Sequence, residues 1–278
     1  MFNSFSIGTN IAMGYSIEDA LALLKKAGFA RVEISSIAGM CEHADPRCMD
    51  ERYAVKFTEL LAQSGLTCSA LAGHVDLTEP VQLEHFLRKI EFAARIGAPI
   101  VNTNSGPLSR LDDFRKNIRK VIAQAERYNV MVCLESHGDI VNTAKDSVHI
   151  FREINHPLIR LNYDTGNTYF YQKGNVSVEE DIKYGFEYLE HVHLKDISIE
   201  GNRVEYRPIG SGDIDFGAFF SSLRELGKDI PIGIEIPVFV KGTIQAIGPT
   251  NYPLATDELL RACDSSMDHL RALLTEVI

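Results

Sequence analysis

Residues 130–136 read VMVCLES, a run of apolar and β-branched residues that closes on a carboxylate, Glu135. Three later runs have the same form: residues 159–164 (IRLNYD), 190–196 (EHVHLKD) and 230–237 (IPIGIEIP). Short apolar runs bounded by polar residues are typical of buried strands. They lie about 30 to 40 residues apart, roughly the length of one strand-loop-helix unit. This part of the chain is therefore predicted to alternate strands with helices.

The same alternation fills the rest of the chain. Predicted strands near the start are FSIGT (5–9), ARVEISS (30–36), LTCSALAGH (66–74) and PIVNTNSG (99–106), with apolar residues at helical spacing between them. About eight such units without a linker predict a single α/β domain over residues 1–278, a parallel sheet closed as a (β/α)8 TIM barrel. A doubly wound open sheet is the alternative, but no glycine-rich dinucleotide turn follows the first strand.

Connection lengths indicate which end of this barrel carries the chemistry. The segments from each helix to the next strand are short, whereas several segments from a strand to the next helix are long. The longest follow the second, seventh and eighth strands. Barrel enzymes keep substrate and lid on such loops, so the active site is predicted at the C-terminal ends of the strands.

Composition excludes several classes of partner. The chain has 278 residues, 45% of them hydrophobic, and a formal charge of −10, which disfavours binding to nucleic acid. No apolar stretch approaches the 18 or so residues of a spanning helix, and the N-terminal sequence has no basic start, so neither membrane insertion nor secretion is expected. The five cysteines lack CxxC spacing. A cytoplasmic location is the simplest expectation.

Four polar residues at consecutive strand ends form a candidate metal site. They are Glu135, Asp164, His193 and Glu235. His191 shares the inward face of His193, but His193 is nearer the carboxyl end of its strand. Three carboxylates and an imidazole suit one divalent ion, Mn²⁺, Co²⁺, Mg²⁺ or Zn²⁺. Taken singly, each of the four is equally explained as a solvated group at a strand end.

Five segments in order, LESHG, NYDTGN, HVHLKD, PIGSGDIDF and GIEIP, resemble the xylose isomerase-like TIM barrel superfamily, in particular its sugar phosphate isomerase/epimerase branch. The resemblance covers essentially the whole chain. It implies one divalent ion held by these four ligands, with Glu135 and Glu235 also acting as catalytic acid and base. It implies a small carbohydrate substrate, a keto sugar or derivative with or without a phosphate group. A chelating ion stabilises the enediolate that such chemistry requires.

One residue departs from the pattern of many epimerases, which carry histidine three positions after the aspartate where this chain has Asn167. Because an amide does not titrate, a metal-dependent lyase of the inosose or dehydroshikimate dehydratase type stays open. A non-catalytic sugar-binding barrel is a further alternative. An endonuclease IV-type nuclease is disfavoured, because it needs three zinc ions and therefore more histidines.

Six residues are predicted to bind the substrate. His74 ends the third predicted strand, Asn104 lies in the segment NTNSG, and His137 and Lys195 each follow a predicted ligand by two positions. A solvated rim group or a turn residue is the alternative reading for several of them. A homo-oligomer is compatible with the sequence. The six predicted substrate-binding residues are His74, Asn104, His137, Asn167, Lys195 and Arg207.

Overall fold

A computed structural model describes residues 5–275. This part of the chain forms twelve strands, numbered in order: β1 (Phe5–Gly8), β2 (Arg31–Ser35), β3 (Thr67–Ala72), β4 (Ile100–Thr103), β5 (Met131–Glu135), β6 (Ile159–Asp164), β7 (Leu189–Leu194), β8 (Asp196–Glu200), β9 (Arg203–Arg207), β10 (Ile232–Ile234), β11 (Val240–Thr243) and β12 (Ala246–Pro249).

The same described part of the chain, residues 5–275, also contains nine α-helices: α1 (Ile17–Lys26), α2 (Glu51–Ser64), α3 (Pro80–Arg95), α4 (Leu111–Tyr128), α5 (Ala144–Ile154), α6 (Thr165–Tyr171), α7 (Val178–Tyr184), α8 (Phe216–Glu225) and α9 (Thr256–Thr275). Two short 3-10 turns precede α1 and α4. Among these helices, none combines the length and apolar character of a membrane-spanning segment.

Eight parallel strands close a barrel in the order β1-β10-β7-β6-β5-β4-β3-β2. At least one helix lies between each strand of the barrel and the next, which confirms the predicted (β/α)8 fold and excludes the open sheet. The eighth strand of the ring is β10, because the hairpin of β8 and β9 intervenes along the chain.

Apolar packing is divided unequally between the two sides of the barrel wall. The main hydrophobic core lies between strands and helices, whereas a much smaller apolar cluster contains Ala70, Ile100 and Cys133, residues that have the inward parity of their strands. Other inward positions carry buried polar residues, among them Glu33, Asn102, Asn162 and His191, which are all 0% exposed. Buried polar groups need partners, so this interior is expected to be a connected hydrogen-bond network.

A second sheet stands outside the barrel ring. The hairpin of β8 and β9 follows β7, the hairpin of β11 and β12 follows β10, and together they pair as an antiparallel sheet in the order β12-β11-β9-β8. The sequence predicts long loops at these two places, but it does not predict that they pair. This sheet is called the lid sheet below.

Candidate metal centre and substrate cavity

Strand register brings the four predicted ligands to one end of the barrel. Asp164 on β6 is paired with His193 on β7, and Glu135 closes β5 beside them. Glu235 directly follows β10, and its backbone N–H donates to Leu194 O at 2.9 Å. All four side chains are buried. They meet because parallel strands end on the same edge of the barrel.

His193 lies at the centre of this group. Its Nδ1 is 2.8 Å from Glu135 Oε2, 3.7 Å from Asp164 Oδ2 and 3.9 Å from Glu235 Oε2. Glu135, Asp164 and His193 each offer an atom within 4.8 Å of the others. Burial alone would lower the pKa of His193, but the carboxylates around it raise that pKa well above its usual value. The cluster is therefore strongly attractive to positive charge.

Lys195 provides positive charge at this cluster. Its Nζ is 2.7 Å from Asp164 Oδ2 and 2.5 Å from Glu235 Oε2, and it lies 3.3 Å from Asn167 Oδ1. Burial would lower the pKa of Lys195, but the adjacent carboxylates raise it well above the usual range. The predicted substrate-binding lysine thus makes direct ion pairs with two of the predicted metal ligands.

Amide groups hold the two glutamates in matching ways. Asn167 Nδ2 donates to Glu135 Oε1 at 2.8 Å, and Asn10 Nδ2 donates to Glu235 Oε1 at 2.9 Å. The other oxygen of each glutamate, Oε2, faces the cluster: that of Glu135 lies 2.8 Å from His193 Nδ1, and that of Glu235 lies 2.5 Å from Lys195 Nζ. Glu135 Oε2 also accepts from Asn162 at 2.9 Å. Asn10 was not predicted, although its position two residues after β1 is a signal that could have found it.

Glu33 supports the imidazole from below. His193 Nε2 lies 2.9 Å from Glu33 Oε2, and Asn102 Nδ2 donates to Glu33 Oε1 at 2.8 Å. Because a carboxylate accepts, Nε2–H donates to Glu33, while Nδ1 faces the ligand cluster, where a bound ion would replace its proton. Burial would raise the pKa of Glu33, but His193 and these hydrogen bonds lower it to about 2. Glu33 lies outside the predicted set, although it has inward parity near the end of β2.

Two further residues, His191 and Gly233, lie next to His193 and Glu33 in the barrel interior. His191 lies beneath His193, is fully buried, and has its Nδ1 3.0 Å from Asn162 Oδ1. Burial lowers the pKa of His191 to about 4, so the ring is neutral near pH 7. Gly233 makes room for Glu33 and His193, because a Cβ at this position would lie 2.8 Å from Glu33 Oε2 and 2.9 Å from His193 Cδ2.

A cavity of about 400 Å³ opens above the cluster, within the size range of small-molecule sites. Five of the six predicted substrate-binding residues line it. His74 Nδ1 lies 3.0 Å from Asn104 Oδ1, and His137 Nδ1 lies 3.2 Å from Tyr171 OH. The five are His74, Asn104, His137, Asn167 and Lys195.

Arg207 is not among the residues that line this cavity. Its guanidinium lies 2.7 Å from Glu205 Oε2, and its side chain is 42% exposed beside a separate shallow depression. The prediction rested on a loose resemblance to the family's substrate-binding arginine, in a loop that returns to Gly210-Ser211-Gly212. That segment folds as a hairpin with Arg207 at its end. In its place β9 gives Tyr206 to the cavity wall, as strand alternation explains.

The described part of the chain is thus a (β/α)8 barrel with a buried carboxylate-histidine cluster under an open cavity. The sequence model of the xylose isomerase-like TIM barrel family matches residues 13–263. The chain belongs to this family. No curated protein sequence gives a significant match.

Solved structures share the fold at low sequence identity. A D-tagatose 3-epimerase-like protein superposes with a TM-score of 0.75 at 17% identity, over 99% of this chain and 98% of that one. A xylose isomerase-like TIM barrel protein from Mycobacterium smegmatis in complex with magnesium gives 0.74 at 17% identity, over 98% and 97%. The 3-keto-D-glucoside 4-epimerase of E. coli gives 0.68 at 16% identity, over 97% and 99%.

Proposed function

We propose that this chain is a divalent-metal-dependent isomerase or epimerase of a small keto sugar or sugar derivative. The observation that carries the proposal is the pair Glu135 and Glu235, whose Oε2 atoms face one buried histidine and one lysine at the floor of a cavity. Two carboxylates placed in this way can remove a proton from carbon and return one. Several structural neighbours are named as sugar epimerases, which supports the same chemistry.

The residues present fit a divalent ion. Glu135, Asp164, His193 and Glu235 form a mixed oxygen and nitrogen donor set, and the distances from His193 Nδ1 to the three carboxylates span 2.8 to 3.9 Å. The imidazole already has the outer carboxylate partner that metal-binding histidines usually have, Glu33. When bound, Mn²⁺, Co²⁺, Mg²⁺ or Zn²⁺ would polarise a substrate carbonyl and stabilise the negative charge that develops on it.

Glu135 and Glu235 are proposed to move the proton. They reach the cavity from β5 and from the end of β10, with β6 and β7 between them in the ring, so they approach a ligand from different directions. One would take the proton from the carbon beside the carbonyl. The other would return a proton to the same carbon from the opposite face, which is epimerisation, and return to a neighbouring atom gives isomerisation.

Polar residues around the cavity are proposed to orient the substrate. His74 and Asn104 are held against each other, and His74 Nε2 is 3.6 Å from Glu135 Oε2. Asn167 bridges Glu135 and Lys195 through its amide, where many epimerases carry a titratable histidine. The non-titrating amide leaves proton transfer to the glutamates. His74 and Asn104 are suited to bind substrate hydroxyls.

The test is hydrogen exchange in D₂O. Metal-loaded and chelator-treated protein are incubated with a panel of ketoses, and deuterium incorporation is followed by NMR. We expect a substrate to gain deuterium at the carbon beside its carbonyl only with the metal-loaded protein. Release of water from the sugar would replace the proposal by a dehydratase, and the absence of exchange in every ketose would contradict it.

A further inference from the structure

The loop that follows the hairpin of β8 and β9 presents backbone N–H groups as a phosphate-binding loop would. These N–H groups already have an acceptor in the same chain, the carboxylate of Asp196. Gly210 N and Gly212 N both donate to Asp196 Oδ2 at 2.8 Å, and Ile197 N donates to Asp196 Oδ1 at 2.9 Å. Barrel enzymes often bind phosphate near the loops after the seventh and eighth strands. Here the fully buried carboxylate of Asp196 takes these donors.

The loop also has no space to admit an anion beside Asp196. A Cβ at Gly212 would lie 2.3 Å from Asp196 Oδ1 and 2.5 Å from Ile197 O. A phosphate group is much larger than one carbon atom. The loop is therefore closed to a substrate phosphate by a carboxylate of the same chain.

The positively charged side chain in the cavity is also already paired with carboxylates of the same chain. Lys195 is the one lysine or arginine among the described residues that line the cavity, and its ammonium is paired with Asp164 and Glu235. The two arginines of the preceding hairpin, Arg203 and Arg207, both pair with Glu205 outside the cavity. A divalent ion together with Lys195 would balance the three carboxylates of the cluster. Among the described residues that line the cavity, no further lysine or arginine is then left to balance a phosphate dianion.

The outer part of the cavity is apolar. Met40 is 41% exposed and Tyr171 is 38% exposed at its rim, and the lid sheet contributes Val240 and Ile247 to the wall. The polar floor, in contrast, is nearly inaccessible to solvent, with Glu135 and Glu235 only 1% and 4% exposed. Grouped apolar side chains around a cleft are expected to contact apolar ligand surface.

We infer that the site takes an uncharged keto sugar that carries an apolar substituent at the end remote from the reacting carbons, and that it excludes sugar phosphates. The inference rests on the proposed function for the position of the reacting end. The polar floor binds the carbonyl and hydroxyl groups. The apolar rim contacts an alkyl or aryl group, as in a glycoside of a keto sugar.

Two matched ligand pairs test the inference with the full metal-loaded chain. Methyl and phenyl 3-keto-β-D-glucopyranoside differ in the apolar substituent and keep a free carbonyl, and D-fructose and D-fructose 6-phosphate differ in charge. Affinities are measured by calorimetry. We expect the phenyl glycoside to bind at least about tenfold more tightly than the methyl glycoside, and the phosphate to bind at least about tenfold more weakly than its parent sugar.

Two variants complete the test, one at a partly buried residue of the cavity wall and one at an exposed residue far from it. Ile247→Ser on the lid sheet is expected to reduce the preference for the phenyl glycoside, whereas Val55→Ser, on the exposed face of α2, leaves it unchanged. Equal affinities within either pair, tighter binding of the phosphate, or no binding of any probe would overturn the inference. Deuterium exchange separates the two proposals: a phosphorylated ketose that exchanges as fast as its parent contradicts the inference and leaves the proposed function standing.

Discussion

Lys195 Nζ lies 2.7 Å from Asp164 Oδ2, so a lysine ammonium contacts an oxygen that the proposed metal ion would also need. Glu235 Oε2 is shared in the same way, at 2.5 Å. Lysine and metal are thus two cations drawn to one set of carboxylates. In the proposed site the ammonium and the ion share these oxygens, and the repulsion between the two cations opposes metal binding.

Removal of this lysine should therefore strengthen metal binding. We expect Lys195→Met to bind Mn²⁺ at least about tenfold more tightly, because the repulsion between an ammonium and a divalent ion about 4 Å apart is about 2 kcal/mol even in water, and 1.4 kcal/mol is about tenfold. Titration calorimetry measures the affinity. Lys228→Met, which removes a surface lysine paired with Glu190, is the control and should bind as wild type. Weaker metal binding by Lys195→Met would refute this reading of the cluster.

The contact between Glu33 and His193 should also affect metal affinity, in the opposite direction. Glu33→Gln keeps the shape of the side chain but removes the charge that supports the imidazole, and loss of such an outer partner typically costs about 10- to 100-fold in metal affinity. Calorimetry with Mn²⁺ and a circular dichroism spectrum measure affinity and fold. Glu59→Gln, on the exposed face of α2, is the matched control. Wild-type affinity in a folded Glu33→Gln protein would show that the contact has no such role.

Asn10 should influence turnover more than metal binding. Its amide holds Glu235 Oε1, the oxygen turned away from the histidine and lysine, so Asn10→Ala is expected to free the orientation of a proposed proton-transfer group. We expect kcat to fall about 10- to 100-fold while metal affinity changes less than about threefold, given that general acid-base catalysis contributes about 10²- to 10⁴-fold. Asn175→Ala, in an exposed loop, is the control. An unchanged kcat in Asn10→Ala would contradict the positioning role.

A buried lysine on α3, outside the barrel ring, should make the free energy of unfolding depend on pH. Lys89 on α3 is 0% exposed and donates to Ser36 O at 2.6 Å and Gly73 O at 3.0 Å. Burial lowers the pKa of Lys89 from 10.5 to about 8. The unfolded chain therefore binds more protons than the folded chain between about pH 8 and 10.5, so this group makes the free energy of unfolding rise with pH in that window.

The difference between wild type and Lys89→Met isolates this contribution. We expect the wild-type free energy of unfolding to gain up to about 3 kcal/mol on the variant between pH 8 and 10.5, because each pKa unit corresponds to about 1.4 kcal/mol. Urea unfolding at a series of pH values measures it. Parallel curves for the two proteins would contradict the lowered pKa.

The regular part of the fold was readable because its signals are local and repeated. Apolar strands that end in polar residues, such as the run that closes on Glu135, predict both the barrel and the edge where the side chains meet. Asp164 and His193 follow the same rule. Parallel register then places them together without any further information from the sequence.

The remainder of the site depends on contacts that no short stretch specifies. Asn10 and Glu33 contact residues of the cluster that are far from them in the sequence, and neither has a distinctive local motif. The lid sheet forms because two hairpins in separate loops pair with each other through β9 and β11. The position of Arg207 outside the cavity depends on the same kind of contact, since Arg207 pairs with Glu205 on β9, a strand in a segment that the sequence predicts as a loop.

Solvent exchange in the two glutamate variants tests the central claim most directly, that Glu135 and Glu235 move the substrate proton. Deuterium incorporation into a ketose substrate is followed by NMR for wild type, Glu135→Gln and Glu235→Gln, with the metal content of each sample measured alongside. We expect each variant to lose at least about 100-fold in exchange rate at saturating metal, in line with the contribution of general acid-base catalysis. Exchange at the wild-type rate in both metal-loaded variants would contradict the account.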